Sequence, residues 1–198
     1  MHPYQTDGGI RTRVFIICAF LAVGLARILS LVIEYLPFAI PWWVETPSVL
    51  GFFGLCVWLF DNYLWKLKLV QQLAWFYIPN LNGKWETEIR SSHEGFDKPF
   101  QARAIIRQTA SKVSISMETD TSLSHSVNAT LMRTDKLNQF ELSYNYINHP
   151  KADAVTTMSI HQGTAWLQIP DSGKTLDGEY YSGRGRQNFG RLVLKRVY

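Results

Sequence analysis

The sequence predicts two N-terminal transmembrane α-helices followed by an all-β domain of about eight antiparallel strands. Three observations carry that prediction. Apolar residues concentrate before Trp75, whereas the chain after Pro79 alternates polar and apolar residues in short runs. Turn-forming residues separate those runs, and no amphipathic helix lies among them. Both cysteines, Cys18 and Cys56, fall within the apolar stretches, so the β region has none and its fold rests on no disulfide. That absence favours a reducing compartment.

The first helix is expected over residues 14–36. Val14 to Leu36 is apolar except for Arg27 and Glu34, and 23 residues suffice to cross a bilayer core. A second apolar stretch, Val49 to Leu64, follows a short loop and argues for a helical hairpin rather than a cleaved signal peptide. Thr46-Pro47 reads as an N-cap with proline at the first helical position, giving a second helix over about residues 47–65. Arg11 and Arg13 precede the hairpin and Lys66 and Lys68 follow it. The connecting loop carries Glu45 with no Lys or Arg, and Trp42 and Trp43 supply an aromatic belt. The positive-inside rule then places both termini and the β domain in the cytosol. Arg27 and Glu34 are seven residues apart and project from nearly one face. They form either a polar seam between protomers or a snorkelling charge at the interface. Ala22 and Ala26, with Gly51 and Gly54, would permit close helix contact. Residues 66–75 read as a continuation of the second helix, ended by Pro79 and Asn82-Gly83.

The domain boundary is set at residues 78 and 79, with 1–78 as membrane anchor and 79–198 as soluble domain. Trp85, Thr87 and Ile89 alternate with charged residues, as do Val113, Ile115 and Met117 with Ser114, Ser116 and Glu118. Phe140, Leu142, Tyr144 and Tyr146 share a face, as do Ala165, Leu167 and Ile169, and Leu192 and Leu194. Ser91 to Gly95, Asn148-His149-Pro150 and Gln162-Gly163 read as turns. Short strands at this spacing give an up-and-down barrel or a sandwich, and an eight-stranded barrel has room for one small ligand.

The chemistry points away from an enzyme. The histidines of the β domain fall in different elements with no metal-ligand spacing, no serine sits in a nucleophile elbow, and the glycines at 183, 185 and 190 join strand to strand. No metal and no cofactor is expected. From Pro79 onward there are fifteen Lys and Arg against twelve Asp and Glu, and beyond Glu179 five basic residues and no acid. That excess suits an anion, or equally a solvated basic edge strand. Within it, Tyr180-Tyr181-Ser182-Gly183-Arg184-Gly185-Arg186 joins two aromatic faces that stack on bases with two guanidiniums that pair with phosphate. The same residues would also serve as a glycine-rich hairpin with barrel-filling tyrosines. Arg103 and Arg107 share a face of a strand expected over Phe100 to Thr109 and are further phosphate candidates, or outward charges.

The helical hairpin, the entry Ile78-Pro79-Asn80-Leu81-Asn82-Gly83-Lys84-Trp85 and the exit Leu176 to Arg186 through Gly190-Arg191-Leu192-Val193-Leu194 resemble the membrane-spanning β-barrel effectors of bacterial CBASS anti-phage systems. The resemblance covers nearly the whole chain in architecture, and its exit motif is the more specific. It implies a cytosolic barrel that binds a cyclic dinucleotide made by a phage-activated nucleotidyltransferase. It further implies homo-oligomerisation in the inner membrane, loss of membrane integrity and abortive infection, with no DNA or RNA polymer as partner. Tyr180, Tyr181, Arg184, Arg186, Arg103 and Arg107 are the expected ligand contacts, and Arg27 and Glu34 the expected assembly residues. Competing readings are a tethered carrier of an apolar ligand, a scaffold that assembles without a ligand, and a hydrolase.

Overall fold

The computed structural model describes residues 1–6, 9–35, 42–73, 77–134, 139–170, 173–183 and 186–197, with the backbone alone for 42–47 and 73. Two compact units emerge: Gly8–Ile78, and Met1–Asp7 together with Pro79–Tyr198. The anchor as read from sequence thus yields its first seven residues to the β unit.

That unit is a closed barrel of nine described strands. They are β1 (His2–Thr6), β2 (Gly83–Ser91), β3 (Phe100–Gln108), β4 (Lys112–Glu118), β5 (Ser122–Arg133), β6 (Phe140–Pro150), β7 (His161–Ile169), β8 (Thr175–Ser182) and β9 (Phe189–Val197). β2 to β9 form an up-and-down meander, and pairing of β9 with β2 closes it, which excludes the sandwich. β9 therefore has partners on both sides and is no edge strand.

The ninth strand corrects the expected count of eight. β4 and β5 pair only at Ser116–His125, Met117–Ser124 and Glu118–Leu123. Beyond that, Ser126 Oγ accepts from Ile115 N at 2.9 Å, β5 bulges between Ser126 and Asn128, and the two strands part. β1 fills the gap, antiparallel to β4 at His2–Val113 and Pro3–Lys112 and parallel to β5 at Tyr4–Ala129 through Thr6–Leu131. The parallel pair departs from an all-antiparallel barrel. Two turn readings also fail. Asn148-His149-Pro150 ends β6 and Gln162-Gly163 lies inside β7; the connection runs through residues 151–160.

Alternation divides inside from outside. Trp85, Ile106, Leu142, Leu167, Leu176 and Leu194 are each 1 % exposed or less and fill one half of the lumen. Each contributes about 1.5–3 kcal/mol by leaving water. The entry motif seals that half. Leu81 N donates to Gln108 Oε1 at 2.8 Å, Gln108 N donates to Asn82 Oδ1 at 2.7 Å, and Trp85 Nε1 donates to Leu81 O at 3.1 Å. Arg196 donates to the carbonyls of Asn80 and Asn82 and lies over the Trp85 ring. In the other half small inward residues, Ser91, Gly163, Ala165, Ser182 and Gly190, stand between Tyr144, Tyr146 and Tyr180 and leave space. The barrel is plugged at one end and hollow at the other because side-chain volume changes along the strands.

The second unit holds α1 (Ile10–Glu34), α2 (Trp42–Asn62) and a short α3 (Lys68–Leu73). α1 buries Val14, Cys18 and Ala22 on one face, with Phe15 and Phe53 meeting at 6.4 Å between ring centroids. Among the described residues, α1 is the helix long and apolar enough to cross a membrane; the apolar part of α2, Ser48–Asn62, is shorter. α1 starts four residues before Val14, and α2 starts at Trp42, so Pro47 lies within its first turns rather than at its first position. The side chains of Trp42, Trp43, Glu45 and Thr46 lie outside the described residues. The expected continuous helix over residues 66–75 is broken instead. Leu67 is extended after a 3₁₀ turn at Leu64–Lys66, and Trp65 is fully buried. Gln71 Nε2 holds the break by donating to Trp65 O at 2.7 Å.

Candidate ligand cavity

The hollow half encloses a cavity of about 530 Å³, within the range of small-ligand sites. It opens where β2, β4, β6 and β8 end and β3, β5, β7 and β9 begin. Tyr144, Tyr146 and Tyr180 line it together with His161, Arg186 and Asn188. Ser91, Ser122 and Ser182 add hydroxyls, and Lys98, Glu94 and Asp120 supply further charge.

Register explains the wall. Tyr144, Ala165, Tyr180, Gly190 and Ser91 form one inward row across β6, β7, β8, β9 and β2. One rung nearer the mouth, Tyr146, Gly163 and Ser182 form the next. Large and small residues alternate around the barrel, so each ring lies over a neighbour that leaves it space. Burial raises the hydroxyl pKa of Tyr144, pushes that of Tyr146 up to about 12, and raises that of Tyr180. All three are neutral at physiological pH. Arg186 acts electrostatically on Tyr146, Tyr180 and His161, which places its charge among them. No carboxylate among the described residues pairs with Arg186. With its amide turned to satisfy both partners, Asn188 accepts from Arg186 Nε and donates to Arg186 O, each at 3.0 Å. Burial and the neighbouring Arg186 charge lower the His161 pKa, against the opposing effect of its hydrogen bond to Ser159 O at 3.0 Å. A guanidinium set among aromatic and hydroxyl groups suits an anionic ligand with planar rings.

The residues singled out by sequence separate. Tyr180 and Arg186 line the cavity. Tyr181 alternates with Tyr180, so it points outward and its ring meets that of Trp166 at 5.4 Å. Arg103 and Arg107 are exposed on the outer face of β3, where Arg103 stands opposite Glu86 and Glu118. Arg184 lies outside the described residues. The other basic residues near the C-terminus also disperse: Arg191 pairs with Asp177 on the outer surface, and Arg196 caps the plugged end. Arg27 and Glu34 are exposed on α1, off the face that packs against α2. Sequence reasoning passed over Tyr144, Tyr146, His161 and Asn188 as site residues. The alternation that put Tyr144 and Tyr146 beside Leu142 was the available signal for the first two. Among the described residues, no three His, Cys, Asp or Glu side chains form a metal cluster.

Comparison with known proteins agrees with this geometry. Residues 76–196 match the family model described as the Cap15 cyclic dinucleotide receptor domain, and residues 12–66 match that of the Cap15 TM helices. The chain is 32 % identical over 146 residues to CD-NTase-associated protein 15 of Yersinia aleksiciae, covering 74 % of this chain and 67 % of that one. It is 26 % identical over 152 residues to CD-NTase-associated protein 15 of Escherichia albertii, covering 73 % and 71 %. A barrel with a receptor cavity, joined to apolar helices and matching both family models over most of its length, makes this chain a member of the Cap15 family of CBASS-associated proteins.

Proposed function

We propose that the barrel binds a cyclic dinucleotide in this cavity, with Arg186 on a phosphate and Tyr144, Tyr146 and Tyr180 against the bases. In this reading the protein is a two-span protein of the bacterial inner membrane with its barrel in the cytosol. Binding favours self-association, and the assembled helices breach the membrane and abort infection. The observation that carries the reading is a guanidinium inside an aromatic cavity within the span that matches a cyclic dinucleotide receptor domain. The mixed lining disfavours a purely apolar guest. Assembly is favoured only insofar as the ligand binds the assembled state more tightly. Arg27 and Glu34, exposed on the single hairpin, support a polar seam between copies, because a lone charge facing lipid is costly.

The test is calorimetric titration of the full-length protein in nanodiscs with a panel of cyclic dinucleotides, with particle mass followed in parallel. Saturable binding is expected, and Arg186→Ala should weaken it by roughly tenfold to a hundredfold without lowering Tm. A folded protein that binds no member of the panel sinks the reading.

A further inference from the structure

Two glycines stand opposite two of the cavity tyrosines. Tyr146 on β6 faces Gly163 on β7, and Tyr180 on β8 faces Gly190 on β9. A Cβ on Gly163 would lie 2.3 Å from Tyr146 Oη, 2.4 Å from its Cζ and 2.4 Å from the backbone oxygen of Tyr181. A Cβ on Gly190 would lie 2.7 Å from Tyr180 Cε1 and 2.0 Å from Arg90 O. Neither separation is one that real Cβ atoms adopt, so any other residue would displace the ring or the strand. Each phenol ring therefore lies across its neighbouring strand, in the space that glycine leaves, rather than standing into the lumen. The Tyr146 hydroxyl is held at the wall as well: its Oη donates to Tyr181 O at 3.4 Å and lies in reach of Ser182, and the Tyr180 hydroxyl lies in reach of Ser91. Both rings line the cavity, two strands apart, and the charge of Arg186 acts on both.

We infer that Gly163 and Gly190 are positioning residues that fix Tyr146 and Tyr180 as two stacking platforms, so that one barrel takes both bases of one cyclic dinucleotide around Arg186. This inference rests on the nucleotide reading above and adds the arrangement and the stoichiometry. Aromatic faces held in advance lose little freedom on binding and tolerate different bases, since every base has a π-face. The ligand class follows: two planar groups joined by an anionic linker, one ligand per chain.

The test uses full-length protein in nanodiscs and the cyclic dinucleotide that wild type binds most tightly. Tyr146→Phe and Tyr180→Phe retain the ring and should bind within about threefold of wild type. Tyr146→Leu and Tyr180→Leu should each lose roughly 5- to 100-fold, the range for removing one base stack. In wild type, proton resonances of both bases should shift upfield on binding, and each leucine variant should abolish the shift of one base. Gly163→Ala, whose Cβ would also meet the Tyr181 carbonyl, should weaken binding in a Tyr146 background more than Tyr146→Phe does. Should that variant fail to fold, the Phe and Leu series still decides the question. Wild-type affinity in both leucine variants, or one ligand per two chains, overturns the inference and leaves the nucleotide reading standing. If wild type binds no cyclic dinucleotide, both fall.

Discussion

His161 is where the cavity chemistry meets pH. Burial and Arg186 hold its folded-state pKa below the ordinary value, so the unfolded chain takes up a proton on acidification before the folded one does. Stability from this residue is therefore intact above about pH 6.5, the unperturbed histidine value, and declines as pH falls below it. The expected result is a Tm that falls between pH 7 and 5.5 in wild type and falls less in His161→Gln. On the proposed binding mode, a phosphate beside Arg186 would offset its charge, raise the His161 pKa and make binding take up a proton. Affinity for the nucleotide should then increase over the same interval, and His161→Gln should flatten that increase. Equal pH slopes in the two proteins would remove His161 from the cavity electrostatics. The asymmetry of Tyr180 and Tyr181 belongs to the same scale. Strand alternation alone parts them, and no change of rotamer brings Tyr181 to the cavity.

β1 is the element that the sequence hid. His2 to Thr6 carries a proline and no alternating apolar run, and its partners lie more than a hundred residues away. Local pattern cannot report such a pairing. Neither family match includes it. Yet Tyr4 is 3 % exposed and accepts from Gln108 Nε2 at 3.2 Å, and His2 Nε2 lies 2.7 Å from Ser126 Oγ. The meander from β2 to β9 was legible because each of its strands pairs with a neighbour in sequence. Gly163 was misread as turn punctuation for the opposite reason: its role depends on Tyr146 across the sheet. A truncation beginning at Asn80 lacks β1 and exposes the parted edges of β4 and β5, a template for pairing with other chains. It should self-associate without any ligand and melt at lower temperature than the same barrel with residues 1–7 fused ahead of it through a flexible linker. Tyr4→Ala in the full chain should cost roughly 3–5 kcal/mol, the range for emptying a buried aromatic site. A truncation that stays monomeric with an unchanged Tm would show that β1 is dispensable.

At the scale of the whole molecule, connectivity constrains topology more tightly than hydropathy does. Residues 1–7 and 79–198 belong to one compact unit, and the chain between them contains α1 and α2. A folded barrel holding both ends of that segment requires an even number of membrane crossings. If α1 spans, the chain must return before Pro79. α2 has the length for it: its 21 residues extend about 32 Å, close to the roughly 30 Å of a bilayer core, although its apolar part is shorter. The positive-inside rule, applied to the flanking arginines and lysines, would then put the barrel in the cytosol, as proposed above. A direct check is cysteine labelling in intact bacteria with a membrane-impermeant maleimide, on a background in which Cys18 and Cys56 are replaced by alanine. Phe38→Cys, between the helices, should label from outside. Lys98→Cys and Arg133→Cys should label only after the inner membrane is permeabilised. External labelling of Lys98→Cys would invert the orientation. Protection of all three sites would mean that the segment enters the membrane without crossing it, and the proposed breach of the bilayer would then need a different physical basis from a spanning hairpin.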